Sequence, residues 1–402
     1  MNILVLNCGS SSVKYKLIEI KANEVLAEGG IEKIGLPDAF IKFKYEGKKI
    51  QQDLDISDHV GAIKSILDNL TGKQYGCIRD FNEIDAVGHR VVHGGEKFNK
   101  SVLIDDDVIA KVKECYSIAP LHNPVNMAGI EAINEVLPNV PQVAVFDTAF
   151  HQTMPPKAYM YALPYKYYII DHVRRYGFHG TSHRYVTQRV CEFLGVKPEG
   201  KKIITCHIGN GGSITAVKDG KSIDTTMGLT PTEGLMMGTR CGDVDPGALL
   251  FLMEKHNLNY RGMLDVVNKL SGVSGVTGIS PDMREINAAA EEGDERAKLA
   301  LDMYENRVIK YVGAFTAEMN GVDIIVFTGG VGEHQASIRA NVCHSLGYMG
   351  VQVDEEVNQA NNGEEQVISA ENSSVKVVVI PTDEEYMIAR DTEAIVEGRE
   401  IL

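Results

Sequence analysis

The chain uses one local pattern twice, and this repetition limits its fold more than any other feature. Residues 3–20 comprise an apolar run, the turn-like stretch NCGSSS and a run of alternating apolar and polar side chains. Residues 203–217 repeat that order around the stretch IGNGGS. Each copy is typical of a β-hairpin. The period is too long for a solenoid, so the pattern predicts two similar domains, each opening with a glycine- and serine-tipped hairpin.

Elsewhere the chain mixes strand-like and helix-like segments. Apolar runs predict strands at 84–92, 142–146, 323–327 and 375–380. Helical periodicity predicts helices at 105–117, after Asn123-Pro124, and at 182–194, 246–255, 261–269 and 285–320. Residues 328–333 (TGGVGE) are expected to form a turn, and Thr382 and Glu385 have capping-box spacing for a last helix. This alternation indicates an α/β architecture.

Composition excludes several classes of protein. The 402 residues include 40 Lys and Arg against 55 Asp and Glu, a net charge of −15 that argues against a general nucleic-acid binder. No apolar run reaches the roughly 18 residues that span a bilayer, and the first residues lack a secretory signal. The seven cysteines are scattered without a CxxC pair. We therefore expect a cytoplasmic protein with reduced thiols, no structural metal and no membrane partner.

Two common phosphate-binding motifs fail on spacing. A P-loop ending at Gly220-Lys221-Ser222 would need glycine at position 215, where Thr215 stands. Neither GNG at 209–211 nor GVG at 330–332 completes a dinucleotide-binding GxGxxG motif. What remains is the pair of hairpin tips, Gly9–Ser12 and Gly209–Ser213, whose backbone N–H groups and hydroxyls, with Lys14, suit a polyphosphate. The alternative is that either tip is only a turn.

Histidine and arginine are concentrated in three short segments, GHRVVHGG at 88–95, RRYGFHGTSH at 174–183 and GTR at 238–240. Such clusters in an acidic protein suit an anionic substrate. A zinc site built on the HxxxH spacings is disfavoured because neither has the HExxH glutamate. Salt bridges could account for His89, His93 and His183. Arg90, His179 and Arg240 adjoin glycine or turn residues and are better candidates for ligand contact.

Carboxylates follow two predicted strands, where α/β folds bind their ligands. Asp147 follows the strand at 142–146 and Glu384 lies just past the strand at 375–380. Asp147 could instead cap a helix. Transfer of a nucleotide phosphate requires Mg²⁺ held by oxygen ligands, which would give both acids a role.

Several motifs together resemble the acetokinase family. They are NCGSSSVK at 7–14, GHRVVHGGEKF at 88–98, APLHNP at 119–124, VFDTAFHQTM at 145–154, RYGFHGTSH at 175–183, HIGNGGS at 207–213, GLTPTEGLMMGTRCGDVDP at 228–246, and residues 271–285 and 328–333. The resemblance implies duplicated ribonuclease-H-like domains of the actin-like ATPase type around a nucleotide-binding cleft. We expect these domains at 1–150 with 385–402, and at 151–384. It also implies a homodimer and reversible transfer of the ATP γ-phosphate to acetate, giving acetyl phosphate and ADP.

The same resemblance implies roles for individual residues. Arg90 would contact the substrate carboxylate, Asp147 would be the active-site acid, and His179 and Arg240 would stabilise the transition state. Mg²⁺, with Mn²⁺ able to take its place, would be held by Asn7 and Glu384. The acetate pocket would comprise Arg90, Val92, Leu121, His122, Phe178 and Pro231. The nucleotide contacts would be Lys14, Ser10, Ser12, His207, Ile208, Gly209, Asn210, Gly211, Asp282, Met283, Arg284, Gly330, Val331, Gly332, Glu333 and His334.

Three residues depart from the expected family pattern: His334 replaces Asn, Cys241 replaces Ser and Gly212 replaces Ala. A carboxylate acceptor needs no general base, so Asp147 is expected to act by electrostatics and positioning. A propionate or butyrate kinase remains an alternative, because one methylene is worth only about 1–3 kcal/mol. The alternative from another class is a non-catalytic actin- or Hsp70-like nucleotide switch, which would not need Arg90, His179 and Arg240 together.

Overall fold

The computed structural model describes residues 1–45 and 47–401. The chain divides into two compact units, which we call unit 1 (Met1–Gln152 with Asp383–Leu402) and unit 2 (Thr153–Thr382). The chain passes between them at two points, after Gln152 and after Thr382.

Unit 1 is built on an eight-stranded mixed sheet in the order β5-β4-β3-β2-β1-β6-β8-β7. Strands β1, β6 and β8 are parallel, and the other neighbours are antiparallel. The strands are β1 Asn2–Gly9, β2 Ser12–Glu19, β3 Glu24–Glu32, β4 Phe40–Tyr45, β5 Lys48–Asp53, β6 Ala86–Val91, β7 Val102–Leu103 and β8 Gln142–Phe146. The helices are α1 His59–Thr71, α2 Asp106–Glu114, α3 Asn123–Val136 and, after unit 2, α15 Glu384–Val396, with short 3-10 turns at Phe81–Glu83, Cys115–Ser117 and Ala149–Thr153.

Unit 2 has a six-stranded sheet in the order β11-β10-β9-β12-β14-β13, with β9, β12 and β14 parallel. Its strands are β9 Lys202–Ile208, β10 Gly212–Lys218, β11 Lys221–Thr225, β12 Ile324–Thr328, β13 Gln366–Val367 and β14 Lys376–Val379. Its helices are α4 Pro156–Tyr159, α5 Lys166–Asp171, α6 Gly180–Phe193, α7 Pro246–His256, α8 Tyr260–Lys269, α9 Gly272–Thr277, α10 Met283–Glu291, α11 Glu295–Met319, α12 Gly329–His334, α13 Ala336–Ser345 and α14 Glu355–Ala360, with a 3-10 turn at Gly347–Met349.

The two sheets share one topology. In unit 1 the antiparallel run β3-β2-β1 continues through the parallel strands β6 and β8, and in unit 2 the run β11-β10-β9 continues through β12 and β14. The side chains of β1 show why both faces of such a sheet are covered, because successive residues point to opposite faces. Leu4 and Leu6 pack with helix α1, whereas Ile3 and Val5 pack with Ile388 of α15. The α/β fold expected from the alternation is confirmed.

Four local expectations were wrong. The helix expected at 285–320 is two helices, because Gly293 has a φ of 100° and Asp294 caps the N-terminus of α11. The glycine-rich stretch after β12 forms the short helix α12 rather than a turn. The last helix is capped by Asp383, whose side chain accepts from the Tyr386 N–H, and not by Thr382. The strand expected to include Val92 ends at Val91.

Candidate active site

In unit 1, an arginine and an aspartate meet at the ends of two parallel strands. Arg90 lies near the end of β6 and Asp147 directly follows β8, and the parallel pairing places both at the same edge of the sheet. Asp147 accepts from Nε of Arg90 at 3.0 Å and from Nη2 at 2.7 Å. These bonds use one side of the guanidinium, so the Nη1–Nη2 edge is left to bind a second carboxylate.

Negative charge exceeds positive charge around this pair. Glu384 Oε2 lies 3.8 Å from Nε of Arg90. Asp147 raises the pKa of Arg90, against the opposing effect of burial. Burial raises the pKa of Glu384 to about 7; Arg90 opposes this shift, and Asp147, Glu385 and Asp383 add to it. Lys16 pairs with Asp383 at 3.7 Å and with Glu385 at 3.4 Å. Asp147 and Glu384 therefore share Arg90, and two carboxylates beside one guanidinium favour the binding of a further cation.

A cavity of about 800 Å³ in unit 1 borders this cluster, and its wall includes Asn7, Lys14, Arg90 and Glu384. Asn7 and Lys14 face each other in the register of β1 and β2. The strands extend to Gly9 and Ser12, so the hairpin tip is the two-residue turn Ser10-Ser11. Among the described residues no group of three or more His, Cys, Asp or Glu side chains is arranged to hold a metal ion.

The predicted acetate-pocket residues of unit 1 follow β6 and precede α3. Val92 is half-buried and lies just beyond the strand, so strand alternation does not set the direction of its side chain relative to Arg90. Leu121 is 66% exposed. The backbone carbonyl of His122 accepts from Val125 and Asn126 in the first turn of α3.

Two asparagines hold the segment after β6, and sequence reasoning assigned neither of them a role. Asn126 accepts from the Val92 N–H at 3.0 Å and donates to the Cys8 carbonyl at 2.9 Å. Asn123 accepts from the His93 N–H at 3.1 Å and donates to the His93 carbonyl at 2.8 Å. Their i, i+3 spacing on a predicted helix, directly after the APLH motif, was the available signal.

In unit 2, His179 occupies a strained position before helix α6. Its φ of 56° and ψ of 23° are left-handed, which is unusual for a residue other than glycine. Its Nδ1 lies 2.9 Å from Ser213 Oγ, and its ring stacks on His207 with centroids 4.4 Å apart. Ser213 on β10 also contacts His183 Nε2 at 2.7 Å. The imidazole is thus oriented from two sides.

Hydroxyl groups connect the histidines of this region to the rest of unit 2. Ser182 Oγ lies 2.7 Å from His207 Nδ1 and 2.7 Å from Thr382 Oγ1. His183 Nδ1 lies 2.7 Å from Thr205 Oγ1. Sequence reasoning considered salt bridges for His183 and did not foresee these hydroxyl partners. In unit 1, His89 is likewise paired with a neutral group, the Gln142 amide at 2.7 Å.

Arg240 has no carboxylate partner among the described residues. Its Nη1 donates to the Pro231 carbonyl at 3.1 Å and contacts Met237 Sδ at 3.7 Å, and burial lowers its pKa. A methyl group built on Gly211 would lie 3.4 Å from Nη1 of Arg240 and 3.8 Å from Nε2 of His179. Arg240, His179 and the glycine turn after β9 therefore meet at one point.

A second cavity, of about 540 Å³, lies in unit 2. Its lining contains eight of the predicted nucleotide residues, together with Pro281 and Gln335: Gly209, Asn210, Asp282, Met283, Arg284, Gly330, Val331 and His334. Asp282 accepts from Nε of Arg284 at 3.0 Å, and the Arg284 hydrogen bonds lower the pKa of Asp282 to about 2. His207, Ile208, Gly211, Gly332 and Glu333 do not line it.

The Glu333 side chain instead binds two backbone N–H groups of unit 2. Its Oε1 accepts from the Gly329 N–H at 2.8 Å and from the Thr382 N–H at 3.1 Å. The three departures from the family pattern are also in unit 2. His334 is half-exposed at the unit 2 cavity, and Cys241 Sγ lies 3.1 Å from the Gly242 carbonyl, a contact that serine could also make. A methyl group on Gly212 would meet Leu235 at 3.4 Å, so alanine would fit there.

The fold and these two clusters define the class of protein: a phosphotransferase of the actin-like ATPase fold. The comparison with known proteins names the group within that class. Residues 2–390 match the model of the acetokinase family. The chain belongs to the acetokinase family, as the motifs had indicated.

Three relatives show how close the match is. An acetate kinase of Parabacteroides distasonis is 60% identical over 400 residues, covering 99% of this chain and 100% of the relative. The crystal structure of Porphyromonas gingivalis acetate kinase is 56% identical, superposes with a TM-score of 0.96 and covers 98% of this chain and 99% of its own. A propionate kinase structure from Francisella tularensis is 42% identical with a TM-score of 0.91, covering 98% and 99%.

Proposed function

We propose that this protein is an acetate kinase, which reversibly transfers the γ-phosphoryl group of ATP to acetate to give acetyl phosphate and ADP. The observation that best supports the proposal is the meeting of Arg240, His179 and Gly211. No carboxylate among residues 1–45 and 47–401 pairs with Arg240, so its positive charge is free to stabilise a phosphoryl group in transfer. The acetate kinases among its relatives support the choice of acceptor.

Arg90 and Asp147 would serve the acceptor. Acetate is ionised at neutral pH and can attack phosphorus directly, so no group has to remove a proton. The Nη1–Nη2 edge of Arg90 would hold the acetate carboxylate through two parallel hydrogen bonds. Asp147, with a side chain only 2% exposed, would fix the guanidinium in that orientation. Val92, Leu121, His122, Phe178 and Pro231 are proposed to contact the acid.

The nucleotide would occupy the unit 2 cavity. Gly209, Asn210, Gly330 and Val331 give it a wall with little side-chain bulk, where backbone can approach a ligand closely. Asp282, Met283, Arg284 and His334 form the rest of the predicted set there. Ser10, Ser12 and Lys14 of unit 1, and His207, Ile208, Gly211, Gly332 and Glu333 of unit 2, remain proposed contacts.

The residues present fit a magnesium ion. Asn7 and Glu384 line the same cavity and offer oxygen donors, which Mg²⁺ and Mn²⁺ prefer. Burial, with Asp147, Glu385 and Asp383 nearby, raises the pKa of Glu384 against the effect of Arg90, and a bound cation would favour its ionised form. Such an ion normally keeps several waters and takes only one or two protein carboxylates, with substrate phosphates as further ligands. When bound, it would neutralise charge on the nucleotide phosphates.

A homodimer is proposed from the surface of unit 2. Around helix α5, five large apolar side chains are at least 42% exposed: Leu163, Tyr165, Tyr167, Ile169 and Ile170. Leu250 and Phe251 of α7 are also exposed. Exposed large apolar side chains concentrated on short segments are typical of association sites. Light scattering should give twice the chain mass.

The domain assignment and the location also remain proposals. We propose that units 1 and 2 are the two ribonuclease-H-like domains, because their sheets share one topology. A cytoplasmic location is supported by seven cysteines without a disulfide. No helix among the described residues is long and apolar enough to cross a membrane.

The decisive experiment measures acyl phosphate as its hydroxamate, with Mg-ATP and acetate, propionate or butyrate as separate acceptors. The proposal expects the highest kcat/KM with acetate. A higher value with propionate would favour the second candidate function, that of a propionate kinase. That candidate is considered because the similar structure from Francisella tularensis is a propionate kinase. Nucleotide binding without acyl phosphate from any acid would reject both and support a nucleotide switch.

A further inference from the structure

The segment that leads to His179 is held by a polar cluster outside the two cavities. A left-handed residue with a Cβ costs about 1 kcal/mol or more, and such strain persists only where neighbouring contacts enforce it. Gly177, two residues earlier, also has a positive φ of 79°. The N–H groups of Tyr176 and Gly177 both donate to the Gly228 carbonyl, at 3.1 and 3.3 Å. The strained segment is thus tied to the loop after β11.

Arg175 adds further hydrogen bonds between the segment before His179 and the loop after β11. Its Nη1 donates to the carbonyls of Thr225 at 2.6 Å and Thr226 at 2.9 Å, and lies 3.5 Å from that of Met227. Its Nη2 donates to Glu233 Oε1 at 2.7 Å. One guanidinium therefore binds both ends of the loop 225–233.

Tyr161 completes the cluster from a third segment. Its hydroxyl donates to the second oxygen of Glu233 and accepts from the Leu229 N–H at 2.9 Å. A methyl group on Gly228 would lie 1.9 Å from Glu233 Oε2 and 2.2 Å from the Tyr161 hydroxyl oxygen, so no side chain fits at this position. Each oxygen of Glu233 thus has its own donor.

The loop that this cluster fixes also supports Arg240. Pro231 lies inside it, and its carbonyl accepts from Nη1 of Arg240. On one side the cluster holds the backbone just before His179, and on the other it holds the carbonyl that orients Arg240. Both candidate catalytic groups of unit 2 depend on the same three side chains.

We propose that Arg175, Glu233 and Tyr161 form a positioning clamp that sets the geometry of His179 and Arg240 for phosphoryl transfer. The inference rests on the proposed kinase function and names residues that act through others rather than on the substrate. Misplacement of a catalytic group by about 1 Å can cost 100-fold in rate. Loss of the clamp should therefore lower kcat.

The test is steady-state kinetics of Tyr161→Phe, which removes one hydroxyl and little volume. Loss of that hydrogen-bonded hydroxyl should lower kcat about tenfold, and Arg175→Gln should lower it about 100-fold. The KM for ATP should stay within twofold of wild type, because none of the three residues lines the nucleotide cavity. Glu233→Gln, which keeps the shape and one accepting oxygen, should retain more activity than Glu233→Ala.

Tyr304→Phe is the matched control. It also deletes a buried tyrosine hydroxyl from unit 2, but one that has no hydrogen-bond partner among the described residues. It should leave kcat unchanged. A second readout does not depend on activity: hydrogen exchange at the Tyr176 and Gly177 amides should accelerate in Tyr161→Phe and not in Tyr304→Phe.

Two results would overturn the clamp. One is a Tyr161→Phe enzyme with wild-type kcat and unchanged exchange at these amides. The other is a loss of kcat that Tyr304→Phe reproduces, which would mean that any buried change in unit 2 has this effect. If wild type itself makes no acyl phosphate, the kinase function fails, while the exchange experiment still tests whether the cluster holds the segment before His179.

Discussion

The two arginines proposed for catalysis have opposite surroundings. Arg90 in unit 1 is paired through two hydrogen bonds with Asp147 and approached by Glu384. Within the described part of the chain, Arg240 in unit 2 is bound to a carbonyl oxygen and a thioether sulfur and to no carboxylate. Accordingly the pKa of Arg90 is raised, chiefly by Asp147, and the pKa of Arg240 is lowered by burial. Both stay charged at physiological pH because arginine titrates far above it.

The difference matches what each would bind. A partly neutralised guanidinium orients a small monoanion such as acetate without holding it too tightly. An uncompensated guanidinium keeps its full attraction for a phosphoryl group, which bears more charge as it transfers. Removing Arg90 would therefore leave a buried carboxylate without its partner, whereas removing Arg240 would leave no described carboxylate unpaired.

The largest expected effect is that of Arg240→Ala on the chemical step. Loss of an arginine that stabilises transferring phosphoryl charge lowers kcat by roughly 10³–10⁵. The melting temperature should hold or rise, because the substitution removes a half-buried charge that no described carboxylate pairs with. Kinetics with Mg-ATP and a thermal melt test both points. Arg284→Ala, at the nucleotide cavity, is the control and should raise the KM for ATP more than it lowers kcat. A near-normal kcat in Arg240→Ala would contradict the role in phosphoryl transfer that distinguishes Arg240 from Arg90.

Arg90→Ala should instead weaken folding as well as substrate binding. It leaves the Asp147 carboxylate buried without its partner, at a cost of about 3 kcal/mol. The KM should rise for acetate, propionate and butyrate alike, since all present the same carboxylate. The double variant Arg90→Ala/Asp147→Ala should recover much of the stability but none of the activity. Equal stabilities of the single and double variants would contradict the pairing.

Two buried groups, His89 in unit 1 and Asp224 in unit 2, should make contributions to stability that depend oppositely on pH. Burial lowers the pKa of His89 in unit 1 from 6.5 to about 4, so the unfolded chain binds the proton more readily. This contribution, about 3 kcal/mol, is present above pH 6.5 and is lost as pH falls toward 4. Burial raises the pKa of Asp224 in unit 2 from 3.8 to about 7, so its contribution is present below pH 3.8 and is lost as pH rises toward 7.

Urea unfolding from pH 4 to pH 8 tests these signs. As the pH falls, the free energy of unfolding should decrease less in His89→Gln than in wild type. As the pH rises, it should decrease less in Asp224→Asn than in wild type. The same pH slope in wild type and both variants would show that neither group titrates differently on folding.

The smallest effect concerns acid specificity in unit 1. Val92→Ala removes two methyl groups from the proposed pocket and should favour propionate over acetate by about 1 kcal/mol. Val91→Ala is the matched control, because Val91 is fully buried in the core and should lose stability without a change in acid preference. The ratio of kcat/KM values and the melting temperature separate the two cases. An unchanged ratio in Val92→Ala would remove that residue from the pocket.

Each candidate site residue could be predicted from its neighbours in the sequence, whereas its hydrogen-bond partners could not. Arg90 and Asp147 were each chosen from local surroundings, but their hydrogen bonds join residues 57 positions apart. Asn123, Asn126, Ser213 and Thr382 lie in or beside segments that the sequence analysis named, but their contacts with Val92, His93, His179 and Ser182 depend on the fold. Local signals also misplaced the long helix, because its periodicity masked the break at Gly293.

By itself the sequence determined the α/β class, the repeated hairpin and the family, because periodicity and motif spacing are local properties that need no neighbours. Only the tertiary structure decided which charges are compensated. Arg90 and Arg240 each follow a glycine by two positions in the sequence, yet Arg90 pairs with a buried aspartate and Arg240 pairs with no carboxylate that the structure describes. That outcome depends on which strand ends the sheet brings together, since electrostatic energies act through space and not along the chain.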